Sequence, residues 1–337
     1  MQKQAKIPVS GPDIEKADEA LKKGNYGTVV KLLQTPAGEP ETNIHALLIL
    51  AKAGCEQGNY KLAAKHLRNV LKLLKKTKNP ILEASYYEET GRLSDHESKF
   101  NDAKKFLEKS LKIYTKTADK SGEMRIYHVL AYIYSMEGEY DRAREYFDEA
   151  IVREQSLKNE YFLSHTLHAL GRLYSGNLHD FSGLTQTNKE GVKKAFGYFK
   201  QSLGIAKKLG DARQVAHTTG MMGFILYKEG KFKEAKKEYN ESLKISRKLG
   251  LKLNEERIIY ELAKIYLKEG DTKTAVKYLK ESAKMAFKLT DLFGLVRINY
   301  ELGTARKDKK LITSAQKLAK KIGDKKAVEL LQNSLKA

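Results

Sequence analysis

The sequence predicts an all-α protein built as a solenoid of stacked helix pairs, and three observations predict it. A small residue recurs at a fixed long interval, a short turn phrase precedes it, and four of the five prolines fall before residue 41. The turn phrases include Gly24-Asn25-Tyr26, Gly58-Asn59-Tyr60, Lys99-Phe100-Asn101, Gly138-Glu139-Tyr140, Gly230-Lys231-Phe232 and Gly270-Asp271-Thr272. Ala63, Ala103 and Ala143 are 40 residues apart, as are Ala195, Ala235, Ala275 and Ala315. The one unequal interval, Ala143 to Ala195, is 52, so a single repeat carries twelve extra residues. Self-similarity at a fixed long period is the signature of a repeat architecture, in which each unit buries its apolar face only against its neighbours.

A second column lies twelve residues upstream: Ala51, Gly91, Ala131, Gly223, Ala263 and Gly303, completed by Gly171 before the insertion. Glycine inside a helix costs stability, so its recurrence there implies helices that cross closely. Around it the pattern is apolar, small, two variable positions, aromatic: Leu130-Ala131 with Tyr134, Leu170-Gly171 with Tyr174, Leu262-Ala263 with Tyr266. Each unit reads as helix, tight turn, helix.

In chain order, Met1–Pro12 is polar and reads as a disordered leader. A short first pair, Asp13–Gln34, caps the stack, and further pairs start near Glu41, Pro80, Lys120, Glu160, Asp211, Leu251 and Asp291. A last helix, Asp324–Leu335, covers the final apolar edge, as solenoid ends require. Residues 13–337 are expected to be one domain. The insertion, about 176–189, is a loop between the two helices of one pair, either a contact loop or surface decoration.

These motifs resemble the tetratricopeptide-repeat family, whose unit carries Leu-Gly/Ala, an aromatic three residues on, a Gly-x-Tyr turn and a buried alanine. The 40-residue form resembles the long repeats of Pins-type adaptors. The resemblance implies a right-handed superhelical solenoid of about eight tetratricopeptide-type helix pairs plus a C-terminal capping helix, and a protein-binding scaffold. The Asn that commonly follows the Gly in Pins-type repeats is replaced here by Arg92, Arg172 and Phe224, so that family's own ligands are not carried over.

The first helix of each pair should line the concave side. At about 100° per residue, positions six and three before the small residue and one after it share a sector of about 60°, away from the apolar positions. These 21 positions hold seven Lys or Arg, one acid (Glu88), and five of the chain's eight histidines, far above their chance share. The predicted groove residues are Arg125, His128, Tyr132, His165, His168 and Arg172, followed by His217, Arg257, Tyr260, Lys264, Arg297 and Tyr300. Tyr and Arg are the residues that most often carry interface energy, so the wall suits an extended acidic peptide or protein segment. Histidines and tyrosines at helix crossings also fill space, and a chain of net charge +21 shows basic residues on any face.

Lys61, Lys65, Arg68, Lys72 and Lys75 step by one turn along the second helix of a pair, within a segment, 61–78, that contains no acid. Such a stripe is more often a solvated face, but it can also track phosphates. The chain lacks a phosphate loop, a nucleophile elbow and a His-Glu-x-x-His pair, so no catalytic role, cofactor or metal is expected. His165 and His168 share a helical face without an evident third ligand. Cys55 is the only cysteine, and no apolar run marks a signal or a membrane span, which fits a cytoplasmic protein. The leading expectation is a peptide-binding adaptor; a nucleic-acid- or ribosome-associated scaffold and a peptide- or ligand-sensing regulator are the alternatives.

Overall fold

The computed structural model describes residues 10–22, 25–33, 39–176 and 189–336. Among these, every regular element is an α-helix. The chain divides into two compact units, Met1–Lys158 and Asn159–Ala337.

The N-terminal unit holds four helix pairs: α1 (Gly11–Lys22) with α2 (Tyr26–Leu33), α3 (Pro40–Glu56) with α4 (Tyr60–Leu74), α5 (Pro80–His96) with α6 (Phe100–Lys116), and α7 (Lys120–Glu137) with α8 (Tyr140–Ser156). The C-terminal unit holds four more: α9 (Glu160–Tyr174) with α10 (Lys189–Leu209), α11 (Ala212–Lys228) with α12 (Phe232–Leu249), α13 (Lys252–Lys268) with α14 (Thr272–Lys288), and α15 (Leu292–Arg306) with α16 (Lys309–Ile322). A closing helix, α17 (Lys325–Lys336), packs on α16 and seals the last apolar face with Ala327 and Leu331. Helix α1 starts at Gly11, two residues before the expected start, and residues 1–9 of the predicted leader lie outside the described residues. The insertion likewise lies outside them, apart from Gly176 and Lys189 at its ends.

The repeat columns explain the packing. Ala63, Ala103, Ala143, Ala195, Ala235, Ala275 and Ala315 are all fully buried. Gly171 and Gly223 show why the opposing column must stay small: a Cβ at Gly171 would sit 2.6 Å from the Phe199 ring, and one at Gly223 would sit 2.7 Å from Tyr239. In a close-packed interior such overlap forces side chains off their rotamers. A third column was not read from the sequence. Ser110, Ser202, Ser242 and Ser282 each lie seven residues after an alanine, are fully buried, and donate to a carbonyl of the partner helix (Ser110 Oγ to Ala84 O, 2.8 Å; Ser242 Oγ to Ala216 O, 2.7 Å).

Asn and Asp cap many of the helices; Asn59, Asp119, Asn159, Asp211 and Asp291, for example, accept from the backbone N–H three residues on. Within each unit the first helices of successive pairs touch each other (α3 with α5, α5 with α7; α11 with α13, α13 with α15). The second helices make their main contacts with the first helices before and after them. Closer approach of the first helices places them on the inner, concave side of each unit.

Candidate functional site: the inner walls of the two units

In the N-terminal unit two wall arginines share one buried carboxylate. Arg125 Nε donates to Glu88 Oε1 at 3.0 Å and Nη2 to Oε2 at 2.9 Å, while Nη2 also reaches Tyr114 Oη at 3.1 Å. Arg92 Nη2 donates to the same Glu88 at 3.3 Å. Glu88 is 3 % exposed. Burial alone would raise its carboxyl, but the charges of Arg125 and Arg92 outweigh that and hold it at about 2. His128 lies 3.9 Å from the buried Glu154 and packs its ring against Tyr132 (centroids 5.0 Å), which meets Phe147 edge-on at 5.4 Å. Arg125, His128 and Tyr132 are thus knitted into the packing between helices.

The C-terminal wall differs. His168 Nδ1 is 3.0 Å from Thr218 Oγ1, and its ring meets Phe199 edge-on. Burial, then the charges of Arg172, His217 and His165, push its pKa well below the usual value. Burial also lowers His165, which lies 3.5 Å from Asp211, and His217, which is hydrogen-bonded with Asn254 and repelled by Arg213, Arg257 and Arg172. These histidines are neutral spacers at neutral pH. Among the described residues no three His, Cys, Asp or Glu side chains gather to hold a metal ion.

Arg257 and Arg297 occupy the same column as Arg125, on α13 and α15. Neither lies within 4.0 Å of a carboxylate among the described residues, in contrast with Arg125. Register accounts for the difference. The partner of Arg125 is the residue 37 positions earlier, Glu88; the corresponding residues for Arg257 and Arg297 are Gly220 and Tyr260. Gly220 has no side chain, and Tyr260 offers a ring, with the Arg297 guanidinium 5.5 Å from its centroid. Arg257 is exposed, yet desolvation by the surrounding wall and then the charge of Arg297 lower its pKa, with Asp291 and Glu256 opposing and Arg172 adding to the repulsion. The Nε of Arg297 is buried and has no acceptor. Positive charge is thus held together here without a hydrogen-bonded counter-charge on Arg257 or Arg297.

Toward the other end of these helices lies a cleft of about 360 Å³ lined by Tyr227, Lys264, Leu267, Lys268, Glu301 and Thr304. Lys264 Nζ donates to Glu261 at 3.0 Å and sits 4.7 Å from the Tyr227 centroid. Burial raises the Glu301 carboxyl, opposed by Lys264. Tyr227 and Glu301 fall outside the predicted sector, since the cleft uses residues a turn further along each helix. Tyr260 is in the wall but only 7 % exposed, a floor beneath Arg297 and Lys264. Tyr300 turns to the closing helix, where its hydroxyl accepts from Ser334 Oγ at 3.4 Å. The stripe Lys61, Lys65, Arg68, Lys72 and Lys75 is exposed along α4 and its C-cap, on a second helix and so away from the wall. No described helix is long and apolar enough to cross a membrane.

The tetratricopeptide-repeat family model matches residues 91–152 and 214–286. No curated protein sequence matches the chain. Among solved structures, the apo form of the quorum sensor NprR from B. thuringiensis aligns over 96% of this chain and 91% of its own, at 18% identity and a TM-score of 0.70. NprR in complex with its cognate peptide NprX aligns over 96% and 87%, at 18% identity and a TM-score of 0.59. A Rap protein complexed with competence and sporulation factor aligns over 96% and 95%, at 13% identity and a TM-score of 0.63. At these identities the likeness is one of fold. The chain thus carries tetratricopeptide repeats in the two matched stretches, and the same helix-pair fold runs through the rest of its described residues.

Proposed function

We propose that the chain is a peptide- or protein-binding scaffold whose ligand is an extended acidic segment, held on the inner wall of the C-terminal unit by Arg257 and Arg297. The observation that carries this reading is the missing counter-charge: the column that supplies Glu88 to Arg125 supplies Gly220 and Tyr260 to these two arginines. An arginine kept close to like charge and short of acceptors gains most from a carboxylate brought by a ligand. Tyr260 beneath Arg297 gives the contact an aromatic floor, and the adjoining cleft has room for a neighbouring side chain. That NprR and Rap proteins of the same fold were solved with a peptide and a factor bound fits this reading.

Selection of random displayed peptides on the full chain tests it. Enriched sequences should be rich in Asp and Glu, and the Arg257→Ala/Arg297→Ala variant should bind them at least about tenfold more weakly, the loss expected of interface hot spots. Enrichment of neutral or basic peptides, or unchanged affinity in the variant, would overturn the assignment.

A further inference from the structure

We infer a second binding surface on the outer side of the N-terminal unit: helices α4 and α6 form a track for the phosphodiester backbone of a nucleic acid, read without sequence preference. Lys61, Lys65, Arg68, Lys72 and Lys75 follow one another by a turn, so they share an arc of about 80° opposite the buried Ala63, Leu67 and Val70 and run about 21 Å along the axis. All five are exposed, and among the described residues none has a carboxylate within 4.0 Å. Segment 61–78 contains no Asp or Glu that could pair with them locally. Elsewhere in the same unit, Lys104, Arg142 and Arg153 each have a carboxylate within 3.0 Å. The next outer helix repeats the pattern one period on. Lys105, Lys109, Lys112 and Lys116 of α6 are exposed at steps of four, three and four, with Asp102 and Glu108 the acids of that helix.

The choice of occupant follows from what the face lacks. An anionic membrane would be gripped by apolar side chains inserted among the bases, and a protein partner by aromatic anchors at the centre of the contact. On α4 and α6 the only large apolar side chain counted as exposed is Leu71. Unpaired charge in single file, with little apolar surface, is what a phosphate backbone requires, because its binding is driven by neutralisation and counter-ion release. The surface is separate from the inner wall and stands or falls independently of the peptide reading.

The test is fluorescence anisotropy of the full chain with a labelled 20-nucleotide oligouridylate and a 20-base-pair duplex, from 50 to 200 mM KCl. Both should bind, with log affinity falling against log salt at a slope of about −3 to −5, as expected for about five phosphate contacts. Replacing Lys61, Lys65, Arg68, Lys72 and Lys75 by Gln should lower affinity at least about thirtyfold at 50 mM KCl and flatten the slope. A control removes the same charge from exposed lysines of the other unit that do not line up along one helix, by Lys200→Gln, Lys233→Gln, Lys273→Gln, Lys310→Gln and Lys320→Gln. It should bind as the native chain does. Lack of binding at 50 mM KCl, or equal loss in the two variants, would overturn the track. So would displacement of the oligouridylate by polyglutamate at equal charge, which would point to an acidic protein, or tighter binding to phosphatidylserine vesicles than to either nucleic acid.

Discussion

The two inner walls present arginine at the same repeat position, but in the N-terminal unit it is bound to a buried carboxylate and in the C-terminal unit it is not. Arg125 and Arg92 converge on one buried carboxylate, whereas Arg257 and Arg297 face a glycine and a tyrosine at the corresponding register. A single column, three residues before the small one, therefore decides whether a wall arginine is tied to a carboxylate of the preceding repeat. Repeat proteins can diverge in function at such columns without disturbing the Ala and Gly positions that hold the stack.

The sharpest way to break this comparison is to remove the carboxylate on which it rests. Glu88→Gln should destabilise the protein by about 3 kcal/mol in chemical denaturation, the scale for stranding a partner of a buried ion pair, and leave acidic-peptide affinity unchanged. By contrast, Arg257→Ala should change stability by no more than about 0.5 kcal/mol, because the attraction it loses to Asp291 and Glu256 is offset by the repulsion from Arg297 and Arg172 that it relieves. A loss for Arg257→Ala as large as for Glu88→Gln would erase the distinction between the walls.

Tyr260→Glu moves the other way, installing at the C-terminal wall the carboxylate that the N-terminal wall already has. It removes no positive charge, yet acidic-peptide affinity measured by anisotropy should fall at least about tenfold, or roughly 1.4 kcal/mol. Unchanged affinity would mean that Arg297 is not the contact.

Acid should weaken both units, through groups that act in different pH windows. Above the ordinary histidine pKa of 6.5, His168 is neutral in both the folded and the unfolded chain, so nothing is lost there. Below it, the unfolded chain takes up a proton that the buried imidazole refuses, and stability falls by up to about 1.4 kcal/mol per pH unit for a group that stays neutral. His165 and His217 shift in the same direction, as do His45 and His66 of the other unit. The Glu88 contribution is lost only as pH falls below 4.5 toward about 2. Between pH 7.5 and 5.5 the thermal midpoint should therefore drop, and His168→Gln, which keeps a hydrogen bond to Thr218 within reach, should lessen the drop.

The fold was legible in the sequence because its determinants are short-range and periodic. Ala63 and its six equivalents, and the glycines opposite Phe199 and Tyr239, declare themselves at one spacing. The wall was legible only as a composition. Whether Arg125 or Arg297 is paired depends on a residue 37 positions away on another helix, and that pairing shows only when the stacking register is known. Tyr300 looked like its column-mates, but it belongs to the last repeat, where the closing helix covers it. The serine column went unread because Val70 and Ala150 interrupt it, so its period is broken where the alanine period is not.

The turns that join the helices leave room for adjustment that neither face uses. Gly58, Gly138, Gly230 and Gly270 take the left-handed conformation without a side-chain penalty, while Ala118 and Thr290 adopt φ of 57° and 54° with a Cβ in place. Ala118→Gly and Thr290→Gly should each raise the denaturation midpoint slightly, by roughly 0.5 kcal/mol once the greater freedom of glycine in the unfolded chain is set against the relieved strain. Ala118 is remote in sequence from Arg257, Arg297 and the α4 stripe, whereas Thr290 directly precedes Asp291, the cap of the helix that carries Arg297. The first turn would let an engineer harden the scaffold without touching either surface, one repeat at a time.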